Sequence, residues 1–296
     1  GDILAFTATN SSTEPIEAII TVTPTFDNGG IVCDGEDKTF IITVNPTAQV
    51  DQPLDQVVCN GDTTSIVEFT TQNIGGVMTY SWINNTPIIG LSDSGTGDIL
   101  AFTATNSSTE PIEAVITVTP TFENGDIVCD GEDKTFTITV NPTAQVDQPL
   151  DQVVCNGEDV NLLLSTQNTG GVTTYSWTNN TPIIGLSASG SGDILAFTAT
   201  NSSTEPIEAI ITVTPTFENG DIVCDGEDKT FTITVNPTVE VNALADQYIT
   251  SGQTTPLVNI TSNTSNVTFD WTAVADSGIT GLVDFSSTDT TIIPAE

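Results

Sequence analysis

Apolar and polar residues alternate along most of this chain with a period of two. Phe136, Ile138 and Val140 are interleaved with Thr135, Thr137 and Thr139. Ile112, Ala114, Ile116 and Val118 are interleaved with Glu113, Val115, Thr117 and Thr119. Alternation of this kind predicts half-buried β-strands with one face inward. Tyr80 and Trp82 share a face, and Tyr175/Trp177 and Phe269/Trp271 repeat the arrangement. Val67 and Phe69 become Leu162 and Leu164 in the next repeat, so apolar character is kept while volume shifts, as in a core. Asn60-Gly61, Gly75-Gly76 and Asn124-Gly125 supply turn signals between strands. No stretch carries a capped 3.6-residue period.

The pattern recurs. GDILAFTATNSSTEPIEA starts at Gly1, Gly97 and Gly192, and IVCDGEDKTF starts at Ile31, Ile127 and Ile222. Internal repetition of this length governs the architecture. Asn-Pro at 45–46, 141–142 and 236–237 marks the seams, since proline ends ladder pairing. The expected organisation is the C-terminal half of a module over 1–45, complete modules over 46–141 and 142–236, and the N-terminal part of a diverged module over 237–296. The chain starts inside a repeat and is expected to be a window on a longer protein. About seven short strands and one tryptophan per ~95 residues predict an all-β fold of tandem immunoglobulin-like sandwiches, stacked end to end as a rod. The core is assigned to Trp82, Trp177, Trp271, Tyr80, Tyr175, Phe136 and Phe231.

Composition narrows the function. Of 296 residues, 39 are Asp or Glu, 3 are Lys or Arg and none is His, a formal charge of −36. So anionic a chain is repelled by nucleic acid and anionic lipid. Without histidine it lacks the commonest general base and metal ligand. No run of apolar residues is long enough to insert in a membrane. There is no phosphate-binding glycine loop and no nucleophile elbow, so the chain is read as non-enzymatic.

The strings YSWINNTPIIGLSDSGTGDILAFTATN, ITVTPTF and CDGEDKTFTITVNP resemble the PKD-like repeats of secreted Bacteroidota surface adhesins, closest to the SprB type of gliding-motility adhesin. The likeness runs up to Pro237 and weakens after it, where Thr250 replaces cysteine. It implies an Ig-like fold, type IX export to the cell surface of a Gram-negative bacterium, and a role in adhesion or motility as a stalk. It offers no catalytic residue. The implied partners are neighbouring modules, and surface polysaccharide or like filaments. Alternatives are a carbohydrate- or Ca²⁺-binding module, or a fibre assembled by strand complementation.

An exported chain would oxidise its cysteines. The first expectation pairs Cys59 with Cys129 and Cys155 with Cys224, inside modules, leaving Cys33 to a partner outside the window. A bridge between neighbours, such as Cys59 to Cys224, is the alternative. Lys38, Lys134 and Lys229 are the only cations and are expected to pair with adjacent carboxylates. No cofactor is called for, apart from Ca²⁺ at the acidic loops: Asp130, Glu132 and Asp133, and Asp225, Glu227 and Asp228 are the oxygen-rich positions. The rival reading of these loops is solvated turns.

Overall fold

A computed structural model describes residues 2–272 and 274. Eighteen strands account for nearly all regular structure. In the first repeat they are β1 (Ile16–Val22), β2 (Thr25–Asn28), β3 (Ile31–Asp34) and β4 (Lys38–Val44). The next repeat gives β5 (Gln56–Cys59), β6 (Val77–Asn84), β7 (Ser94–Thr96), β8 (Ile112–Asn124), β9 (Ile127–Asp130) and β10 (Lys134–Asn141). The third gives β11 (Gln152–Cys155), β12 (Asp159–Leu162), β13 (Val172–Asn179), β14 (Ser189–Ser191), β15 (Ile194–Thr198), β16 (Ile207–Asn219), β17 (Ile222–Asp225) and β18 (Lys229–Asn236). Among the described residues the only helical pieces are single 3₁₀ turns at Pro87–Ile89 and Pro182–Ile184, each opened by proline.

The repeats fold alike. One sheet has the order β5-β10-β8-β6-β7, with β9 on β8, and the next has β11-β18-β16-β13-β14, with β17 on β16. In the second repeat the pairs are antiparallel except one, and each of the two sheets holds one parallel pair. β5 lies parallel to β10, with Cys59 opposite Asn141, and β11 lies parallel to β18, with Cys155 opposite Asn236. The facing layer is β12–β15 in the third repeat. In the second it is reduced to the bridges Thr63–Thr103 and Val67–Ile99.

Packing divides the chain into two units. The first holds residues through Ala144 together with Asn168–Val172 and Phe217–Cys224. The second holds Gln145–Gln167, Thr173–Thr216 and the described residues from Asp225 onward. The core of the first gathers Val50, Val67, Phe69, Trp82, Ile116, Val118, Phe136 and Ile138. That of the second gathers Val146, Val160, Trp177, Ile211, Phe231 and Ile233. Tyr80 and Tyr175 are half-buried against these clusters. Tyr80 meets Phe69 with ring centroids 5.5 Å apart.

Trp271 departs from the expectation. It is 38% exposed, whereas Trp82 and Trp177 are buried. Val118 lies opposite Trp82 on β8, and Phe136 joins the same cluster.

Candidate functional site

The chemistry with most structure around it is a seam between repeats, lying wholly within the first unit. Cys59, the last residue of β5, is bonded to Cys224 on β17, with Cα atoms 5.5 Å apart and a sequence separation of 165. Asn141, opposite Cys59 and fully buried, is locked to Asn219. The Asn219 amide donates to Asn141 Oδ1 (2.8 Å), and the Asn141 amide donates to the Asn219 carbonyl (3.1 Å). Asn168 donates to the carbonyls of Thr143 and Thr109 at 3.2 and 3.3 Å. One repeat earlier the same contacts recur. Asn124 donates to Asn45 Oδ1 (2.9 Å), and Asn73 donates to the carbonyls of Thr47 (3.2 Å) and Thr13 (3.4 Å). Amide side chains suit this role because each offers both donor and acceptor capacity.

The cystine corrects the pairing expected inside modules. Cys59 is level with Asn141, and neighbouring Val140 lies opposite Ile112 at the start of β8. Cys129 lies opposite Phe122, ten residues further along β8. At ~3.3 Å per residue that separation is about 33 Å, against the ~7 Å limit for a bridge. The two positions lie at opposite ends of one sandwich, and only the neighbouring repeat brings its hairpin to Cys59. Cys33, Cys129 and Cys155 are thiols, Cys33 and Cys155 being exposed.

The six acidic candidate positions are all exposed. Asp133 and Asp228 each accept a hydrogen bond from a threonine hydroxyl, Thr119 and Thr214 respectively, both at 2.6 Å, and Asp130 accepts from Thr121 at 3.1 Å. Glu132, Asp225 and Glu227 are exposed. Among the described residues no group of three or more His, Cys, Asp or Glu side chains is placed to hold a metal ion. Lys38 meets Glu36 at 3.7 Å, with both side chains well exposed. That is the only ion pair among the described residues, so Lys134 and Lys229 do not pair as expected. Lys134 instead lines an open cavity of about 350 Å³ with Glu132 and the irregular segment Thr47–Val50.

One structural site was missed in the sequence. Asn106 and Asn201 are buried corner residues. Asn106 donates to the carbonyls of Val140 (2.7 Å) and Glu110 (2.8 Å), and accepts from the amide and hydroxyl of Ser108. Asn201 repeats this with Val235, Glu205 and Ser203. The signal was present in the invariant Asn-Ser-Ser spacing, which is also the pattern of an Asx turn.

These features define a class: tandem all-β sandwiches of Ig-like, PKD-like type. Residues 152–239 match the family model of the PKD-like domain. No curated protein matches the chain. Among solved structures, the chain is similar to the EC21-23 segment of human CDH23 (12% identity, TM-score 0.41, covering 73% of this chain and 80% of that one). It is also similar to three N-terminal domains of the outer capsid protein Hoc of bacteriophage RB49 (12%, TM-score 0.37, 75% and 88%). A third is a SusE-like surface-located polysaccharide-binding protein of Bacteroides thetaiotaomicron (10%, TM-score 0.25, 68% and 37%).

Proposed function

We propose that this chain is a tension-bearing segment of an extracellular stalk, of the kind that carries adhesive or motility functions on a bacterial surface. The observation that carries the reading is the parallel pairing of the first and last strands of each sandwich, β5 with β10 and β11 with β18. Tension enters the first strand at its N-terminal end and leaves the last at its C-terminal end. In a parallel pair those pulls oppose one another along the strand axis. All the hydrogen bonds between the strands are then sheared together rather than peeled one at a time. The Cys59–Cys224 bond adds a covalent route past the residues it encloses. The part-buried Asn141–Asn219 contact lies beside it. The anionic surface keeps such a stalk soluble and discourages unspecific association with nucleic acid.

Single-molecule pulling on the whole chain tests this reading. Under reducing conditions the two sandwiches should give two discrete steps, each of about 320 Å for ~95 residues at ~3.4 Å apiece. Under oxidising conditions both full steps should vanish. A reduced chain that extends without discrete steps, or an oxidised chain that still gives both, would overturn it.

A further inference from the structure

Asn-Gly recurs twice in each complete repeat, at 60–61 and 124–125 and again at 156–157 and 219–220. The pair is chemically soft. Glycine has no side chain to shield its backbone nitrogen, so that nitrogen can attack the asparagine side-chain carbonyl and close a five-membered ring. Each pair is followed by Asp or Glu, so local sequence gives all four nearly the same reactivity. The fold separates them. Just after β5 the Asn60 side chain is held at both ends: its amide donates to the Thr143 hydroxyl (2.8 Å), and its Oδ1 accepts from the Asn106 N–H (2.7 Å). The nucleophile is occupied as well, since the Gly61 N–H donates to the Ala104 carbonyl at 2.8 Å. Asn156 and Gly157 are held alike, by the Asn201 N–H (2.7 Å) and the Ala199 carbonyl (2.8 Å). The hairpin pair differs. Gly220 is exposed in the turn between β16 and β17, and its N–H has no acceptor among the described residues. The Asn219 side chain is restrained by Asn141, whose Oδ1 accepts from the Asn219 amide (2.8 Å) while its own amide donates to the Asn219 carbonyl (3.1 Å). Asn141 thus holds both the side-chain amide and the peptide group that would have to rotate toward each other.

We propose that Asn219–Gly220 is a self-modification site, latched by Asn141, whose reaction with water turns the seam amide into an acid. The Gly220 nitrogen gives up its proton to hydroxide and attacks Asn219 Cγ. The N–Cγ bond forms, the Cγ–Nδ2 bond breaks, and the amide leaves as ammonia with a proton taken from water. Water then adds to either carbonyl of the succinimide ring and reopens it, leaving aspartate or isoaspartate at that position. The sum is one amide and one water giving one acid and one ammonia, so no oxidant or enzyme is consumed. An ionised carboxylate only accepts hydrogen bonds, so it cannot replace the amide that donated to Asn141 Oδ1. Rotating the Asn141 amide restores a donor there but withdraws it from the Asn219 carbonyl. Either way one of the two contacts is lost beside the Cys59–Cys224 bond. The isoaspartate form also adds a backbone atom to the hairpin. Asn124–Gly125, where the Asn124 amide donates to Asn45 Oδ1 at 2.9 Å, is the same device one repeat earlier.

The test ages the whole oxidised chain in heavy-oxygen water, at neutral and at mildly alkaline pH, and maps the acid formed at each asparagine by peptide mass. A parallel sample is aged in denaturant, where all four pairs should convert at one rate. In the folded chain, positions 124 and 219 should convert several-fold faster than 60 and 156, and faster still at the higher pH. N141A should speed conversion at 219 several-fold and leave 156 unchanged. N219Q, whose ring would need six members, should abolish it at 219 and leave 124 as it was. N219D, the product made directly, should speed amide hydrogen exchange over the Phe217–Cys224 hairpin by up to about tenfold, the worth of one hydrogen bond. Conversion at 60 or 156 as fast as at 219 in the folded chain, a rate at 219 indifferent to N141A, or hairpin exchange unchanged by N219D would overturn the proposal. The comparison of 219 with 60 and 156 is made within the parent chain, so it stands whether or not N141A folds. None of these readouts depends on the chain bearing tension, which the pulling experiment tests separately.

Discussion

The indole of Trp82 lies flat on Gly95. A methyl group at Gly95 would come within 2.2 Å of indole Cζ2, and Gly190 stands to Trp177 in the same way. β6 and β7 can therefore pair with Trp82 directly opposite Gly95 only because Gly95 has no side chain. The indole N–H also donates to the Gly97 carbonyl at 3.1 Å. G95A should destabilise the first unit by about 1–3 kcal/mol, the usual cost of overpacking. Chemical denaturation followed by tryptophan fluorescence measures it. A G95A chain as stable as the parent would show that the ring can move aside.

Removing the corner amide should cost more than its size suggests. In N106A the Val140 and Glu110 carbonyls lose their donor. A buried group left unpaired costs about 1–3 kcal/mol. N201A should do the same in the second repeat. Asn10 makes the equivalent bonds to Val44 and Glu14, but in a part-exposed setting where water can substitute. N10A should therefore change the melting midpoint least of the three.

Phe122 and Phe26 occupy the same place in successive repeats yet sit in different surroundings. Phe122→Ala should cost about 3–5 kcal/mol, the range for emptying a buried aromatic site. Phe26→Ala should be nearly neutral in dilute, reduced protein. Equal losses in the two variants would mean that Phe26 on β2 is covered in solution.

The cystine should matter more to mechanics than to local folding. C59S removes a loop closed across 165 positions. In the chain-entropy model that is worth up to about 5 kcal/mol. In pulling experiments C59S should release about 560 Å of contour, at ~3.4 Å per residue, under oxidising conditions where the parent releases none of it. Identical traces for C59S and the parent would show that the bond does not form in solution.

Alkaline pH should act through two tyrosines. Burial raises the phenols of Tyr80 and Tyr175 above the ordinary value of 10.0. Nearby carboxylates (Asp51 and Asp98 for the first, Asp147 and Asp193 for the second) add to this, and hydrogen bonds with Thr71 and Thr166 oppose it. Below that ordinary value both folded and unfolded chains hold the proton, so the tyrosines favour neither. Above it the unfolded chain loses the proton first, and stability falls as pH rises toward and through the folded value. The melting midpoint should drop above about pH 10, and less steeply for the Y80F/Y175F double variant. Parallel slopes for parent and variant would refute the assignment.

Much of this architecture was legible in one dimension. Alternation at Phe136, Ile138 and Val140 is a local consequence of strand geometry, so it names the inward face without any knowledge of the neighbouring strand. The Asn-Pro seams and the recurring glycines likewise act through their own backbone. The interior places of Tyr80, Trp82 and Phe231 follow from that periodicity. What sequence could not supply was anything depending on which end of a strand meets which neighbour. Cys59 and Cys129 share a repeat but stand about ten residues apart along β8, and strand length converts that into a gap no disulfide spans. Residue order set the period, the faces and the turns. Tertiary structure alone decided the covalent partner of Cys59 and the amide lock of Asn141, because each depends on contacts between segments far apart in sequence.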